Sequence, residues 1–416
     1  YPLYLIIDEY DNFTNVILSE HGQQMFHDLT HASGFYREYF KQFKGMFDRI
    51  FMMGVSPVTL DDLSSGYNID WNISVDPRFN AMMGFDETEV REMFHYYQQN
   101  DMLNGDVEAM IAEMKPWYDN YCFARKSLDD DRVFNCDMTL YYLRWQVDFH
   151  RAPEEMVDKN IRTDYSKLKM LARIDRDSVQ EGDRMSTIEK IAAEGDIFVD
   201  LHTSFPAERI TDIDNFRSLL YYYGLLTMCG TRGDLIKMSI PNNCVREQYF
   251  GFLRDYYQKY SSIDLHYLNV MLTDMAYDGR WKPFFESVAQ AYRENSAVRD
   301  AMEGERNLQG FLKAYLALAS YYLVEPELEM NYGYCDFFLL PDKKRYPDVK
   351  HSYILELKYA TRTATDAELE VQALEGRNQL LQYSEDKIVR CLSEGTTLHR
   401  LLLQFRGWDL VRCEEV

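Results

Sequence analysis

Residues 333–360 read GYCDFFLLPDKKRYPDVKHSYILELKYA. Two apolar runs flank a polar link that carries Pro341 and Pro347, as expected of a hairpin with a long loop. In the second run Glu356 and Lys358 are two apart, and the period of two along a strand puts them on one face. If Leu340 pairs near Ser352 or Tyr353, antiparallel counting sets Asp336 opposite Glu356 or Leu357. Three separated charges then converge inside an otherwise apolar strand pair.

Such charges cost several kcal/mol to bury unless they pair or bind metal. Two carboxylates, Asp336 and Glu356, suit an oxygen-preferring cation, Mg²⁺ or Mn²⁺, and the Leu357 carbonyl offers a further ligand. Lys358 is then positioned to orient or deprotonate an attacking water, or to neutralise a transition state. A plain Glu–Lys pair on a solvated strand is the competing reading, and it leaves Asp336 unexplained.

Working outward, helices are expected from about residue 264 to Tyr322. Strands follow near Glu325–Met330, Cys335–Leu340 and Ser352–Tyr359. A helix spans about Asp366–Ser384, then come the strand LHRLLLQFRG and a short final strand. Upstream, residues 137–262 read as mostly helical. Within them LLTMCGTRGDLIKMSIPN forms a hairpin turned by Thr231-Arg232-Gly233, which suggests a winged-helix-like lid. Asp86–Gln99 and Val107–Lys115 read as helices, with a cap signal at Thr88 followed by Arg91-Glu92.

The chain opens YPLYLIIDEYD. The apolar run Leu3–Ile7 fits a strand buried on both faces of a parallel sheet. Arg49–Val55 (RIFMMGV) is a second such strand, and helical residues 20–47 between them complete a βαβ unit. An apolar strand ending in Asp8-Glu9 is what a P-loop ATPase sets opposite its phosphate loop, with the Asp on Mg²⁺ and the Glu on the attacking water. Ser56, at the end of the second strand, is the candidate polar residue beside the γ-phosphate. Because Tyr1 stands almost inside the first strand, further sequence is expected upstream.

The first 260 residues or so contain LYLIIDEYDNF, FMMGVSPVTLDDLSSGYNI, WYDNYCF, YYGLLTM and IPNNCVREQYF in that order. This series resembles the AAA-ATPase-like family often fused to a PD-(D/E)XK nuclease domain. Residues 264–416 look like the PD-(D/E)XK nuclease superfamily, whose core acids and lysine map onto Asp336, Glu356 and Lys358. The resemblance implies three more site residues: Glu305 on an upstream helix, in ERNLQGFLKAYL, and Gln379 and Tyr383 in QLLQY. It implies three parts: a partial ATPase domain over 1–119, a helical, winged-helix-like region over 120–263, and a restriction-endonuclease-like α/β domain over 264–416. Two departures matter. No GxxxxGK[ST] occurs in the chain, so ATP and its Mg²⁺ are expected only where an upstream P-loop is present. No basic residue immediately precedes Asp336, where Gly333-Tyr334-Cys335 stand.

Composition constrains the rest. With 416 residues, 46% of them hydrophobic, the chain can form two or three cores. No apolar run reaches the roughly 18 residues of a membrane span. The seven cysteines are scattered without zinc spacing, which fits a reduced, cytoplasmic setting. A net charge of −23 excludes a generally sticky DNA-coating protein, although residues 264–416 are less acidic than the rest. His27 and His31 stand four apart on one expected helix with no third strong ligand, so they and His21 read as surface or core residues. Tyr221–Tyr223 and Phe284-Phe285 read as packing, and Asp129–Asp131 as a solvated loop.

The whole reads as an ATPase-coupled, metal-dependent nuclease acting on DNA or RNA, without a membrane partner and with homo-oligomerisation left open. The rival, which the charge favours, is a regulatory or interaction protein that keeps the nuclease fold as a platform and the ATPase as a switch.

Overall fold

The computed structural model describes residues 2–11, 42–43, 46–55, 57, 71–130, 132–158, 168, 171–172, 181–205, 209, 212–259, 263–294, 304–318, 321–330 and 333–416. The chain divides into two compact units: Tyr1–Thr187 with Asp196–Gln248, and Ile188–Gly195 with Tyr249–Val416. It is a mixed α/β protein with several sheets. Among the described residues no helix is long and apolar enough to cross a membrane.

In the first unit β1 (Tyr4–Ile7) and β2 (Arg49–Met52) pair in parallel, from Tyr4 opposite Arg49 to Ile7 opposite Met52. Beyond the ladder, Met53 N–H donates to the Ile7 carbonyl at 2.8 Å, and Tyr10 N–H to the Met53 carbonyl at 3.1 Å. Tyr10 is buried against Ile7, Phe43 and Met52. The expectation of burial on both faces does not hold for β1, because Leu3, Tyr4 and Ile6 are exposed. A two-stranded sheet leaves a face open unless another layer covers it. The histidines at 21, 27 and 31 and most of the helix expected over 20–47 lie outside the described residues.

The helices α1 (Glu87–Gln99), α2 (Val107–Tyr118) and α3 (Cys136–Phe149) bury Val90, Phe94, Met114, Tyr118 and Tyr142 in one core. The start of α1 is fixed by a capping box between Asp86 and Glu89, one turn of polar residues that the signal at Thr88 only bordered. After α4 (Glu181–Glu194) come β3 (Asp196–Val199), α5 (Ile213–Tyr222), β4 (Thr227–Arg232), β5 (Leu235–Ser239) and α6 (Asn243–Tyr257). The expected hairpin is β4–β5, but it turns at Gly233-Asp234, where Gly233 has φ 63°. β3 joins β5 on its other edge, making a three-stranded antiparallel sheet within a stretch read as helical. A four-residue strand carries too little pattern to stand out from flanking helices. Tyr221 is buried, while Asp129 and Asp130 are exposed.

The second unit is built on a five-stranded sheet in the order β10-β9-β8-β7-β6. Its strands are β6 (Tyr322–Met330), β7 (Gly333–Pro341), β8 (His351–Ala360), β9 (Thr397–Arg406) and β10 (Asp409–Glu415). All neighbours are antiparallel except β8 and β9, which run parallel. The chain between β8 and β9 contains α10 (Asp366–Ser384), which begins at a Thr365–Glu368 capping box, and α11 (Lys387–Leu392). Alternate residues of the strands serve opposite faces. Phe338, Ile354 and Leu402 meet Ala373, Leu380, Tyr383 and Val389 of α10 and α11. The other face meets α7 (Leu265–Asp278), α8 (Lys282–Glu294) and α9 (Glu305–Leu316). There the Tyr353 hydroxyl donates to the Met275 carbonyl at 2.7 Å, and Tyr292 packs edge-on against Phe405 and Phe311. Phe284 and Phe285 are buried in this layer.

Candidate active site

β7 and β8 pair Phe337 with Leu355, Phe338 with Ile354 and Leu339 with Tyr353. Continued by one residue, that register sets Asp336 opposite Glu356 and hence on the same face. The ladder stops at Phe337, and the Asp336 side chain takes over its next bond: Leu357 N–H donates to Asp336 Oδ2 at 2.7 Å. In an antiparallel pair the N–H and C=O of one residue face the same neighbour. The Leu357 carbonyl is therefore turned toward the strand edge where Asp336 stands.

Glu356 is 3% exposed. Its Oε1 accepts from Lys358 Nζ at 2.8 Å, whereas its Oε2 is buried with no hydrogen-bond donor. Burial, then repulsion from Asp336, pushes the Glu356 carboxyl up to about 7, against the lowering effect of Lys358. Burial also holds the Asp336 carboxyl above the usual carboxylate range, opposed by the Leu357 N–H, Lys358, Gln309 and Lys313. Glu305, exposed at the head of α9, is raised by partial desolvation and by Asp336. From α10, Tyr383 is buried, and its hydroxyl is pushed up to about 12 by desolvation and then by Glu356, Cys335 and Asp336. Gln379, one turn earlier, hydrogen-bonds Tyr383 and keeps its Oε1 buried without a donor.

Asp336 and Glu356 therefore lie within electrostatic reach of Lys358, Glu305 and Tyr383, with Gln379 beside Tyr383. Two buried acceptor oxygens, on Glu356 and Gln379, lack donors, and two carboxyls repel each other. Such a set can take up a cation. The donors fit an oxygen-loving divalent ion: Asp336, Glu356 and the Leu357 carbonyl. Among the described residues no group of three or more His, Cys, Asp or Glu side chains is gathered to hold a metal.

Sequence reasoning passed over Gln309, whose Nε2 donates to Asp336 Oδ1 at 3.1 Å. The signal was present: Glu305, Gln309 and Lys313 recur every four residues, which aligns them along one side of a helix.

The front acids are arranged differently. Asp8 and Glu9 are exposed, Asp8 Oδ1 accepts the Glu9 N–H at 2.9 Å, and Glu9 has φ 51°. Ser56 lies outside the described residues. The buried acid of this motif is Asp11, 2% exposed, whose Oδ2 accepts the Val55 N–H at 3.0 Å and ties the end of β1 to the end of β2. Close packing there depends on Gly54, where an added Cβ would stand 2.4 Å from Asp11 Oδ1.

Residues 303–415 match the family model of the PD-(D/E)XK nuclease superfamily, and residues 1–64 match that of a predicted AAA-ATPase. No curated protein matches the chain. The chain thus carries an AAA-ATPase-like region at its front and a PD-(D/E)XK nuclease superfamily domain at its back, and the five-stranded sheet is compatible with that domain's fold.

Proposed function

We propose that the chain is a metal-dependent nuclease that hydrolyses phosphodiester bonds of DNA or RNA, with its front region serving as part of an ATPase that controls or positions the cut. The observation that carries this reading is the buried Glu356 oxygen without a donor, set beside Asp336 and Lys358. Asp336, Glu356 and the Leu357 carbonyl hold Mg²⁺ or Mn²⁺, which when bound neutralises phosphate charge and makes water a better nucleophile. Lys358 sets its Nζ beside the carboxylates, 2.8 Å from Glu356 Oε1, where the negative charge of in-line displacement builds up. Glu305, Gln379 and Tyr383 line the same site and orient water and substrate. Asp8, Glu9 and Ser56 serve a nucleotide, with ATP and Mg²⁺, where a P-loop precedes them. The same reading divides the chain into the ATPase part over 1–119, a winged-helix-like region over 120–263 and the nuclease part over 264–416.

A non-catalytic platform is the second reading, favoured by the net charge of −23. Calorimetry with Mn²⁺ on the parent chain and on Glu356→Ala separates the two. The expected result is binding in the parent that is lost in the variant. An absence of binding in the parent, even with a short DNA or RNA duplex present, rejects the metal nuclease in favour of the platform.

A further inference from the structure

Asp336 is held from two sides. Leu357 N–H occupies one oxygen and the Gln309 amide the other, at 2.7 and 3.1 Å. A carboxylate offers about four lone-pair sites, so two remain once these bonds are made. An Asp side chain free to rotate would present them in many directions, whereas one clamped at both oxygens presents them in one. The first clamp is backbone, so no substitution at Leu357 other than proline removes it. The second comes from a single side chain on α9, half-buried and four residues from Glu305.

Resting on the proposed metal site, we infer that Gln309 is a positioning residue for that site: its amide fixes the Asp336 carboxylate in the orientation that receives the divalent cation. The chemistry at this position is specific. Gln309 donates N–H to Asp336, and a neutral donor stabilises the ionised carboxylate without competing for the metal. Lys313, one turn further along α9, is 2% exposed and supports the same charge from behind, its Nζ 5.8 Å from the centroid of the Phe337 ring. Glu305, Gln309 and Lys313 thus form a graded column along one helix: an acid at the mouth of the site, a neutral donor on Asp336, and a buried cation beneath. Orienting partners of this kind typically change metal affinity by about 10–100-fold when removed.

The test is Mn²⁺ calorimetry on the full chain, the probe being Mn²⁺ alone, together with melting temperature in metal-free buffer. Gln309→Met keeps the length and volume of the side chain and removes the donor. The expected result is Mn²⁺ affinity reduced about 10-fold or more, with metal-free melting unchanged. Gln309→Asn keeps the amide but withdraws it by one carbon, and it decides the matter if the Met variant fails to fold. Mn²⁺ affinity within twofold of the parent in a folded variant overturns the inference. Equal Mn²⁺ affinity in the parent and Glu356→Ala, or none in either, instead overturns the metal site and the inference with it.

Discussion

Two short apolar strands in this chain end at acids, and the structure treats them in opposite ways. At the tip of β1, Asp8 and Glu9 are exposed. At the β7–β8 edge, Asp336 and Glu356 face each other inside a sheet covered by helices on both sides, and Glu356 is almost completely buried. An acid in water costs nothing to ionise, whereas an acid among apolar side chains must find a cation or a proton. The difference lies in burial: the charge at Asp336 and Glu356 is expensive where it stands, and the charge at Asp8 and Glu9 is not.

The largest test of this contrast is functional. Asp336→Ala and Glu356→Ala are each expected to reduce Mg²⁺-dependent cleavage of a labelled duplex by on the order of 10³-fold, with folding retained by circular dichroism. Asp8→Ala in the same assay, run without ATP, is expected to change it less than threefold. Loss of cleavage with Asp8→Ala alone would break the comparison.

A second test uses an acid outside both sites. Glu189 on α4 is 2% exposed, accepts the Tyr257 hydroxyl at 2.7 Å, and is pushed up to about 7 chiefly by burial. Its folded pKa lies above its unfolded value of 4.5. Between those values the native state binds more protons than the unfolded state, so stability falls as pH rises through the window. Raising pH from about 4.5 to 8 is expected to remove on the order of 3 kcal/mol, read as a drop in urea midpoint. Glu189→Gln should reduce that slope, leaving the part that Glu356 contributes, and an unchanged slope would show that burial is not what raises the Glu189 carboxyl.

The smallest test concerns packing. A Cβ at Gly376 of α10 would stand 2.7 Å from Leu402 and 3.4 Å from Lys358 Cε. Gly376→Ala is therefore expected to cost about 1–3 kcal/mol and to disturb cleavage by shifting Lys358. Gly54→Ala should destabilise the β1–β2 pair at Asp11 and Tyr10 while leaving cleavage intact. Equal effects of both variants on cleavage would blur the contrast between the two strand ends.

Much of the nuclease-like half was legible beforehand because its signals are local. The alternation in YILELKYA put Glu356 and Lys358 on one face, and the long polar link gave the hairpin, with Asp336 opposite Glu356 or Leu357; the structure fixes the register. The helix over about Asp366–Ser384 was expected from its pattern, and the structure starts it at a Thr365–Glu368 capping box. The four-residue β3 was hidden by its helical surroundings. The turn at Gly233-Asp234 came later than expected, because either glycine-adjacent placement satisfies the same pattern. Gln309 escaped notice because a glutamine on a helix surface is ordinary until the acid it faces is known.

The sequence by itself determined the strand and helix periods, the pairing of Asp336 with the Glu356 end of β8, and the family resemblance of both ends. These depend on spacing along the chain, which local sterics and alternation translate directly into faces. Only the tertiary structure decided that Glu356 is sealed from water with one oxygen lacking a donor, that Gln309 reaches across from α9 to clamp Asp336, and that Asp11 is the buried acid of the front motif. Those facts depend on which surfaces meet, a long-range outcome of packing that no window of sequence contains.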